Sequence, residues 1–302
     1  MKSLALFALS AIASASVFAQ ASSTAAAKIE ISGTSIQHTG VAKGATVSNQ
    51  ANAYATAVQN LSSNKGDINI AGYSSQTTEV LSGGSVMNKA WNPGDIALQS
   101  IASNVGKVEV AKGASSKQSA SISGAVTNDA YGAGSPTKCD KDCDDAALAV
   151  QSLSSNVGNV TIKGESTQHT SVTGGAVGNL ALGAGAVAIQ SLATNIGKVA
   201  IDGKSHQAVD LYKTTVTNFA NGQDTTAVQN LASNYDGVKI MKGGHSDQTV
   251  TGNGGTISNE ATGRYAQAFQ NLSSNFGDVT ISGYSSQYTH VDGVVMNKAN
   301  GY

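Results

Sequence analysis

Residues 57–64 read Ala-Val-Gln-Asn-Leu-Ser-Ser-Asn, and closely related octapeptides recur along the chain. After a short turn, each copy continues into an apolar pair, Val or Ile at alternate residues, and then reaches Ser-x-Gln. Most successive copies lie 39 to 41 residues apart. A fixed period of this size is typical of arrays whose units are unstable alone and in which stacked neighbours supply the core. The copies have their Gln at Gln59, Gln99, Gln151, Gln190, Gln229 and Gln270.

Alternation within each copy indicates β-strands. Ala57, Gln59 and Leu61 share one face, and Ile68 and Ile70 share one phase after the turn. A period of two residues is that of a strand rather than a helix. We therefore predict an all-β fold: a β-solenoid, or stacked strand-turn-strand repeats of about 40 residues, with amyloid-like stacking. The alternation leaves the handedness open, and it leaves open whether one coil holds about 20 or about 40 residues. A third strand pattern, Val-x-Asn-x-Ala, recurs at residues 47–51, 126–130, 216–220 and 295–299.

The recurring amides lie on the constant face of these strands. An amide buried without a partner costs roughly 2–7 kcal/mol, whereas identical amides stacked about 4.8 Å apart donate to one another. The alternative is a solvated face, but Leu61, Ile68 and Ile70 share the phase and would then also be exposed. We predict buried amide ladders. The expected ladder residues are the six Gln named above together with Gln76, Gln168, Gln207, Gln287, Asn64, Asn104, Asn156, Asn195, Asn234 and Asn275.

A bend is predicted between the octapeptide and the apolar pair. Asn-x-Gly stands there in most copies, as at Asn64 and Gly66, whereas the copy at Asn234 has its Gly one place later, at Gly237. Asn and Gly tolerate positive φ, which a tight bend requires.

The first residues resemble a secretory signal. Lys2 precedes an apolar stretch of small residues, and residues 17–19 form a small-residue cleavage site. A membrane anchor is the alternative, but Ser10, Ser14 and Ser16 interrupt the stretch, which is also short for a span. We expect residues 1–19 to be a signal peptide, residues 20–302 to form a single β-repeat array, and the protein to be secreted without a membrane span.

Composition excludes several classes of protein. The chain has 18 basic and 19 acidic residues, and only Arg264 is an Arg. No basic stripe with interleaved aromatic residues is present, so we expect no nucleic-acid partner. Charge is low at 12%, only two residues are Pro, and apolar positions recur regularly. This composition favours β-structure over disorder.

The two cysteines, Cys139 and Cys143, lie in the one long insertion, near residues 131–146, which widens one repeat interval to 52 residues. In an exported chain, a local disulfide is the expected state. Three residues separate the cysteines, whereas a thioredoxin-type redox motif has two, and zinc would need two further ligands.

The same insertion carries alternating acidic residues at Asp140, Asp142 and Asp144. They resemble the start of a calcium-binding loop. The sixth and twelfth positions of such a loop require Gly and Glu, but here they are Asp145 and Gln151. The sequence therefore favours a solvated acidic loop.

Histidines offer no catalytic site. A catalytic His has dedicated partners, whereas these follow the repeat and lie close to the Ser-x-Gln element. No nucleophile elbow, phosphate loop or dinucleotide motif is present, so we expect no enzyme, cofactor or metal site, and a β-helical polysaccharide lyase ranks last among the functions considered. The histidines are His38, His169, His206, His245 and His290.

The combination Ala-x-Gln-x₄-Asn, a bend, an apolar pair, and later Gln and Asn-x-Ala elements resembles the repeats of curlin, the bacterial amyloid fibre subunit. The resemblance covers all the full units. The period is longer here, and the usual Gln-x-Gly-x-x-Asn spacing is not kept, since Gln76 is followed by Asn88. The resemblance implies export through an outer-membrane pore of a Gram-negative-type bacterium, a nucleator, and self-assembly outside the cell.

Two functions remain open. The first is a secreted structural subunit of an extracellular amyloid-like fibre or biofilm matrix, which self-associates through its ladders. The second is a monomeric β-solenoid adhesin or ligand-binding protein. A binding solenoid is expected to repeat one particular outward residue, but the outward residues here vary, which favours the fibre. One outward column stays apolar: Val58, Leu98, Val150, Ile189, Val228 and Phe269.

Overall fold

The chain winds into a β-solenoid in which every paired strand is parallel to its neighbours. This computed structural model describes residues 28–52, 54–91, 93–132, 146–183 and 185–301, and that part of the chain contains no helix. Successive turns of the solenoid are about 40 residues apart, so each copy of the sequence repeat forms one coil. The predicted solenoid is confirmed, and the larger of the two coil sizes is the correct one.

Each coil contributes four or five strands. The first coil contains β1 (Lys28–Ile31), β2 (Thr34–Val41), β3 (Thr46–Asn52), β4 (Ala57–Leu61) and β5 (Asn64–Lys65). The second contains β6 (Asp67–Ile70), β7 (Tyr73–Val80), β8 (Ser85–Trp91), β9 (Ala97–Ile101) and β10 (Asn104–Val105). The third contains β11 (Val108–Val110), β12 (Ser115–Ile122), β13 (Ala125–Tyr131), β14 (Ala149–Leu153) and β15 (Asn156–Val157).

Strands lengthen toward the C-terminal end because two strands fuse into one. The fourth coil contains β16 (Val160–Ile162), β17 (Glu165–Thr173), β18 (Ala176–Leu182), β19 (Val187–Leu192) and β20 (Asn195–Ile196). The fifth contains β21 (Val199–Ile201), β22 (Lys204–Gly222), β23 (Thr226–Leu231) and β24 (Asn234–Tyr235). The sixth contains β25 (Val238–Ile240), β26 (His245–Gly263), β27 (Gln267–Leu272) and β28 (Asn275–Phe276). A partial seventh coil contains β29 (Val279–Ile281) and β30 (Tyr284–Asn300).

Equivalent strands of successive coils form four sheets. Sheet A runs from β1 to β29 and has seven strands, whereas sheet C (β4 to β27) and sheet D (β5 to β28) have six each. Sheet B has an 11-stranded path with two arms, β2 to β17 and β3 to β18, which meet at the long strand β22; β26 and β30 extend it. Because the pairing is in register, Gln151 lies beside Gln99 on one side and beside Gln190 on the other.

Two corners in every coil depend on positive φ. Gly lies at one of them, as at Gly106 (φ 131°) and Gly158 (φ 124°), so the predicted bend is present. The Asn of the motif does not supply the turn, since Asn64 and its equivalents are strand residues. The residue two positions before each Asn turns the chain instead, because its backbone adopts the left-handed conformation with positive φ. These residues are Ser62, Ala102, Ser154, Ala193, Ala232 and Ser273.

The interior is layered by side-chain size. Val, Ile and Leu of sheets B and C, such as Val126 and Leu153, form the largest apolar cluster. A cluster made only of Ala, including Ala90 and Ala97, marks the region where these sheets are closest. Sheet A contributes Ile and Val columns, such as Ile70 and Val110. Small side chains at one end of each strand and branched ones at the other make the coil taper.

The insertion does not interrupt the stacking of coils. A Cβ built on Gly132 would lie 2.9 Å from the carbonyl oxygen of Ala146, so the two ends of the insertion are adjacent. The signal peptide, both cysteines and the acidic residues 140–145 lie outside the described residues, and their expected roles stay predictions. The described part of the chain has no helix with the length and apolarity that a membrane crossing requires.

Candidate functional site

The first predicted amide ladder is present in every full coil. Each Gln side chain of sheet C donates from Nε2 to Oε1 of its equivalent in the preceding coil, at 2.7 to 2.9 Å. Gln151 is fully buried, and its Nε2 also reaches the carbonyl oxygen of Gly178 at 3.1 Å. Both N–H groups of the Gln151 amide therefore donate a hydrogen bond. The ladder comprises Gln59, Gln99, Gln151, Gln190, Gln229 and Gln270.

The predicted Asn ladder of sheet D is also complete. Each side chain donates from Nδ2 to Oδ1 of its equivalent in the following coil, at 2.7 to 3.0 Å. The 52-residue interval created by the insertion is bridged at 2.9 Å, between Asn104 and Asn156. The ladder comprises Asn64, Asn104, Asn156, Asn195, Asn234 and Asn275.

The second Gln column differs from the prediction. Gln76, Gln168 and Gln207 are stacked in register, but each donates sideways to the Asn of sheet D in its own coil instead of to the next Gln. Sheet D lies across the interior from these residues, so the nearest acceptor is the Asn Oδ1. The Gln Oε1 atoms are left buried without a hydrogen-bond partner among the described residues. Gln287, in the last coil, is exposed.

A third ladder was missed by sequence reasoning. It lies in sheet B, where each Asn donates to its equivalent in the next coil at 2.7 to 2.8 Å. Asn88 also donates to the carbonyl oxygens of Ala57 and Leu98, which joins sheet B to two coils of sheet C. The Val-x-Asn-x-Ala pattern was the available signal. The ladder comprises Asn49, Asn88, Asn128, Asn179, Asn218, Asn259 and Asn297.

The ladders have opposite polarity. Gln99 donates toward the N-terminal end of the solenoid, whereas Asn64 and Asn49 donate toward the C-terminal end. Each ladder therefore ends in a donor at one end of the molecule and in an acceptor at the other. The two ends of the solenoid are chemically different.

The apolar outward column of sheet C is not exposed in the middle coils, contrary to expectation. Ile189 is 1% exposed and Val228 is fully buried, although Val58 in the first coil is 39% exposed. The left-handed residue after each sheet C strand directs sheet D outward, so that this column packs in the concave corner between the sheets. Ser152 lies on the strand beside Val150 and is 4% exposed for the same reason.

Both ends of the solenoid present apolar side chains among the described residues. In the seventh coil, Val279, Ile281 and Val295 are exposed, although their equivalents in the preceding coil are buried. In the first coil, Ile29 and Val47 are only partly buried. Each end therefore exposes an unpaired strand edge with a cross-section of the core behind it, which is a template for pairing with another chain.

The outer surface carries isolated ion pairs. Lys163 donates to Glu109 at 2.8 Å, and this bond holds the pKa of the Glu109 carboxyl below its usual value. All five histidines lie on strands of sheet B, and His169 contacts Asp210 at 2.9 Å. No group of three or more metal-ligating side chains occurs in the described part of the chain.

One surface cluster surrounds the only Trp. The Lys89 ammonium lies 5.7 Å from the ring centroid of Trp91, 5.5 Å from that of Tyr131, and 3.9 Å from the Asp129 carboxylate. Burial raises the pKa of the Asp129 carboxyl, and Lys89 opposes this shift. These contacts hold the cluster together across neighbouring coils.

Comparison of the chain with family models, curated proteins and solved structures gives no match.

Proposed function

We propose that this protein is a secreted structural subunit that assembles end to end into an extracellular fibre. The observation that carries the proposal is the match between the two ends of the solenoid. Followed from coil to coil through the strand pairings, the strands of its last, partial coil occupy the positions of β1, β2 and β3, with one register shift between Asn253 and Thr256. A second copy can therefore continue sheets A and B strand by strand.

The side chains at the two ends are complementary. Asn297 ends the sheet B ladder: its Nδ2 donates to the carbonyl oxygen of Ala268 at 3.1 Å, and no following coil lies beside it among the described residues. Asn49 begins the ladder, and its Oδ1 has no donor from a preceding coil in the described part of the chain. Ile281 and Val295 occupy the positions that Ile31 and Val47 occupy in the first coil. Joining the ends removes the exposed side chains of Ile281 and Val295 from water, which is favourable by about 25 cal/mol per Å².

The joint differs from the interior of a subunit. Sheet A, and each arm of sheet B followed through β22, β26 and β30, stacks seven strands along the axis, whereas sheets C and D stack six. When the edges of sheets A and B of two copies meet, a gap one strand wide remains at the joint between sheet C of one copy and sheet C of the next, counting the described residues. The same holds for sheet D. The polarity of the ladders favours head-to-tail contacts, since a contact between like ends brings donors to donors or acceptors to acceptors.

Secretion, an outer-membrane pore, a nucleator and a biofilm matrix belong to the same proposal. They are supported by the signal-like residues 1–19 and by the resemblance of the repeats to curlin. The ion pairs are scattered and no described group holds a metal, so nothing in the described residues favours catalysis over assembly.

Charge placed at the C-terminal end should block assembly. We expect the double variant Ile281→Lys, Val295→Lys to remain monomeric at concentrations at which the wild type forms thioflavin-binding fibres. The introduced charges would have to be desolvated at the joint. Leu81→Lys is the control, because Leu81 is 43% exposed and lies in the second coil, between β7 and β8. Sedimentation and electron microscopy give the readout.

Two results would contradict the proposal. One is a wild-type protein that stays monomeric for days and melts sharply and reversibly. The other is a double variant that forms fibres as readily as the Leu81→Lys control. The first would favour a monomeric solenoid, and the second would place the joint elsewhere.

A further inference from the structure

An open cleft of about 360 Å³ crosses the outer surface of sheet B in coils four to seven. Volumes of this size are typical of small-molecule sites. Two columns of outward side chains line it, on strands β17, β22, β26 and β30. The first column is Ser171, Asp210, Thr251 and His290, and the second is Thr173, Tyr212, Asn253 and Asp292.

The first column is held in place by hydrogen bonds. Asp210 accepts a hydrogen bond from Thr251 and contacts His169 at 2.9 Å. Its carboxylate is therefore oriented before any ligand arrives. Fixed polar groups lose little conformational freedom when they bind a ligand.

The second column has polar groups that remain available. Asn253 and Asp292 are exposed, and neither makes a side-chain hydrogen bond to another described residue. Tyr212 is 45% exposed, and the Lys213 ammonium lies 5.2 Å from the centroid of its ring. An amide supplies both donors and acceptors, and an ionised carboxylate supplies acceptors only. The column thus combines an aromatic surface with unused donors and acceptors.

The lining restricts the class of ligand. Asp210 and Asp292 disfavour anions such as phosphates, and hydroxyl and carboxylate groups disfavour an apolar ligand. A divalent cation is disfavoured because the described residues hold no suitable group of ligands. An uncharged ligand with many hydroxyl groups fits best, since its hydroxyls can bond to amide and carboxylate oxygens while its C–H surface packs on the Tyr212 ring.

We propose that this cleft binds a neutral oligosaccharide. The site lies on the lateral face of the solenoid, where its side chains point away from the axis, and it reaches β30, the last strand of sheet B. It belongs to a single subunit, so a fibre would display one copy of it per molecule. The proposal does not depend on assembly.

The probes are cellohexaose, maltohexaose and laminarihexaose, titrated into the full chain and followed by calorimetry. We expect at least one of them to bind with a Kd of about 0.1 to 1 mM. Tyr212→Ser and Asn253→Ala should each weaken that binding at least about tenfold. Tyr265→Ser makes the same change at an exposed Tyr outside the cleft and should leave the Kd unchanged.

Absence of saturable binding by all three sugars up to about 10 mM would overturn the proposal. Equal binding by the wild type and by both cleft variants would overturn it as well, since the sugar would then bind elsewhere. Each variant is compared at matched far-ultraviolet circular dichroism. Repeating the titration with the Ile281→Lys, Val295→Lys variant separates this result from fibre formation, because the cleft should bind equally well in a subunit that does not assemble.

Discussion

Gly158→Ala is expected to lower the free energy of unfolding by roughly 4 kcal/mol or more. Single substitutions have effects of this size only when they cause a severe steric clash or a core defect. A Cβ at this position would lie 1.9 Å from the carbonyl oxygen of Gly106 in the preceding coil, and φ is 124°. The backbones of successive coils touch at this corner, so neither can move without breaking the strand pairing on both sides. Thermal and denaturant unfolding of the purified variant measure the effect.

Gly174→Ala is the matched control. Gly174 also has positive φ, at 65°, but no atom lies within 4 Å of a Cβ built there. Its substitution should cost only the left-handed backbone strain, about 1–2 kcal/mol. If the two variants unfold alike, the coils do not stack at the Gly106–Gly158 corner, and the assignment of one coil per repeat would be wrong.

Gln151→Glu is expected to lower the free energy of unfolding by roughly 3 kcal/mol at pH 7 and by about 4 kcal/mol at about pH 8, which corresponds to a pKa rise of about three units for a buried carboxyl. The change leaves the Oε1 of Gln99 and the carbonyl oxygen of Gly178 without their donor and places a charge where Gln151 is fully buried. Denaturant unfolding measured across a pH series gives the free energy at each pH.

The pH dependence identifies the charge as the cause. A raised pKa in the folded state means that folding takes up a proton, so the stability deficit is largest above the folded pKa and shrinks as the pH falls toward about 4.3. Recovery should be partial, because a protonated Glu has one donor where Gln has two. Gln50→Glu is the control: Gln50 is exposed and donates only to Ser48. Equal stability of the two variants at pH 7 would mean that Gln151 faces water.

The ladders follow from features that the sequence displays directly, whereas the sequence left the coil size open between about 20 and about 40 residues. The Gln of the octapeptide recurs at the coil period, and identical amides satisfy each other only when they are stacked in register. The ladder that includes Asn64 and Asn104 could be predicted for the same reason. The stacking of identical amides could therefore be predicted from the spacing, and the structure adds that the paired strands are parallel.

The outer corner could not be predicted in the same way. Ser62 and Ala193 adopt positive φ, although neither residue type favours it, and this conformation turns sheet D outward to cover the column of Ile189. The sideways hydrogen bonds of Gln76 were missed because its acceptor, Asn104, lies 28 residues away in the same coil. Contacts across the interior depend on how the coil closes, which no local pattern encodes.

The axial repeat of the assembled fibre tests end-to-end assembly most directly. Seven strands are stacked along the axis in sheet A and in each arm of sheet B. At about 4.8 Å per strand, they predict one molecule for every 34 Å or so of fibre length. Mass-per-length measurement by electron microscopy, together with fibre diffraction, gives this quantity without any substitution. We expect a meridional reflection near 4.8 Å and one subunit mass per roughly 34 Å. A mass per length of one whole molecule for every 4.8 Å or so would mean that each chain lies flat in a single layer, and that result would contradict a fibre built from stacked solenoids.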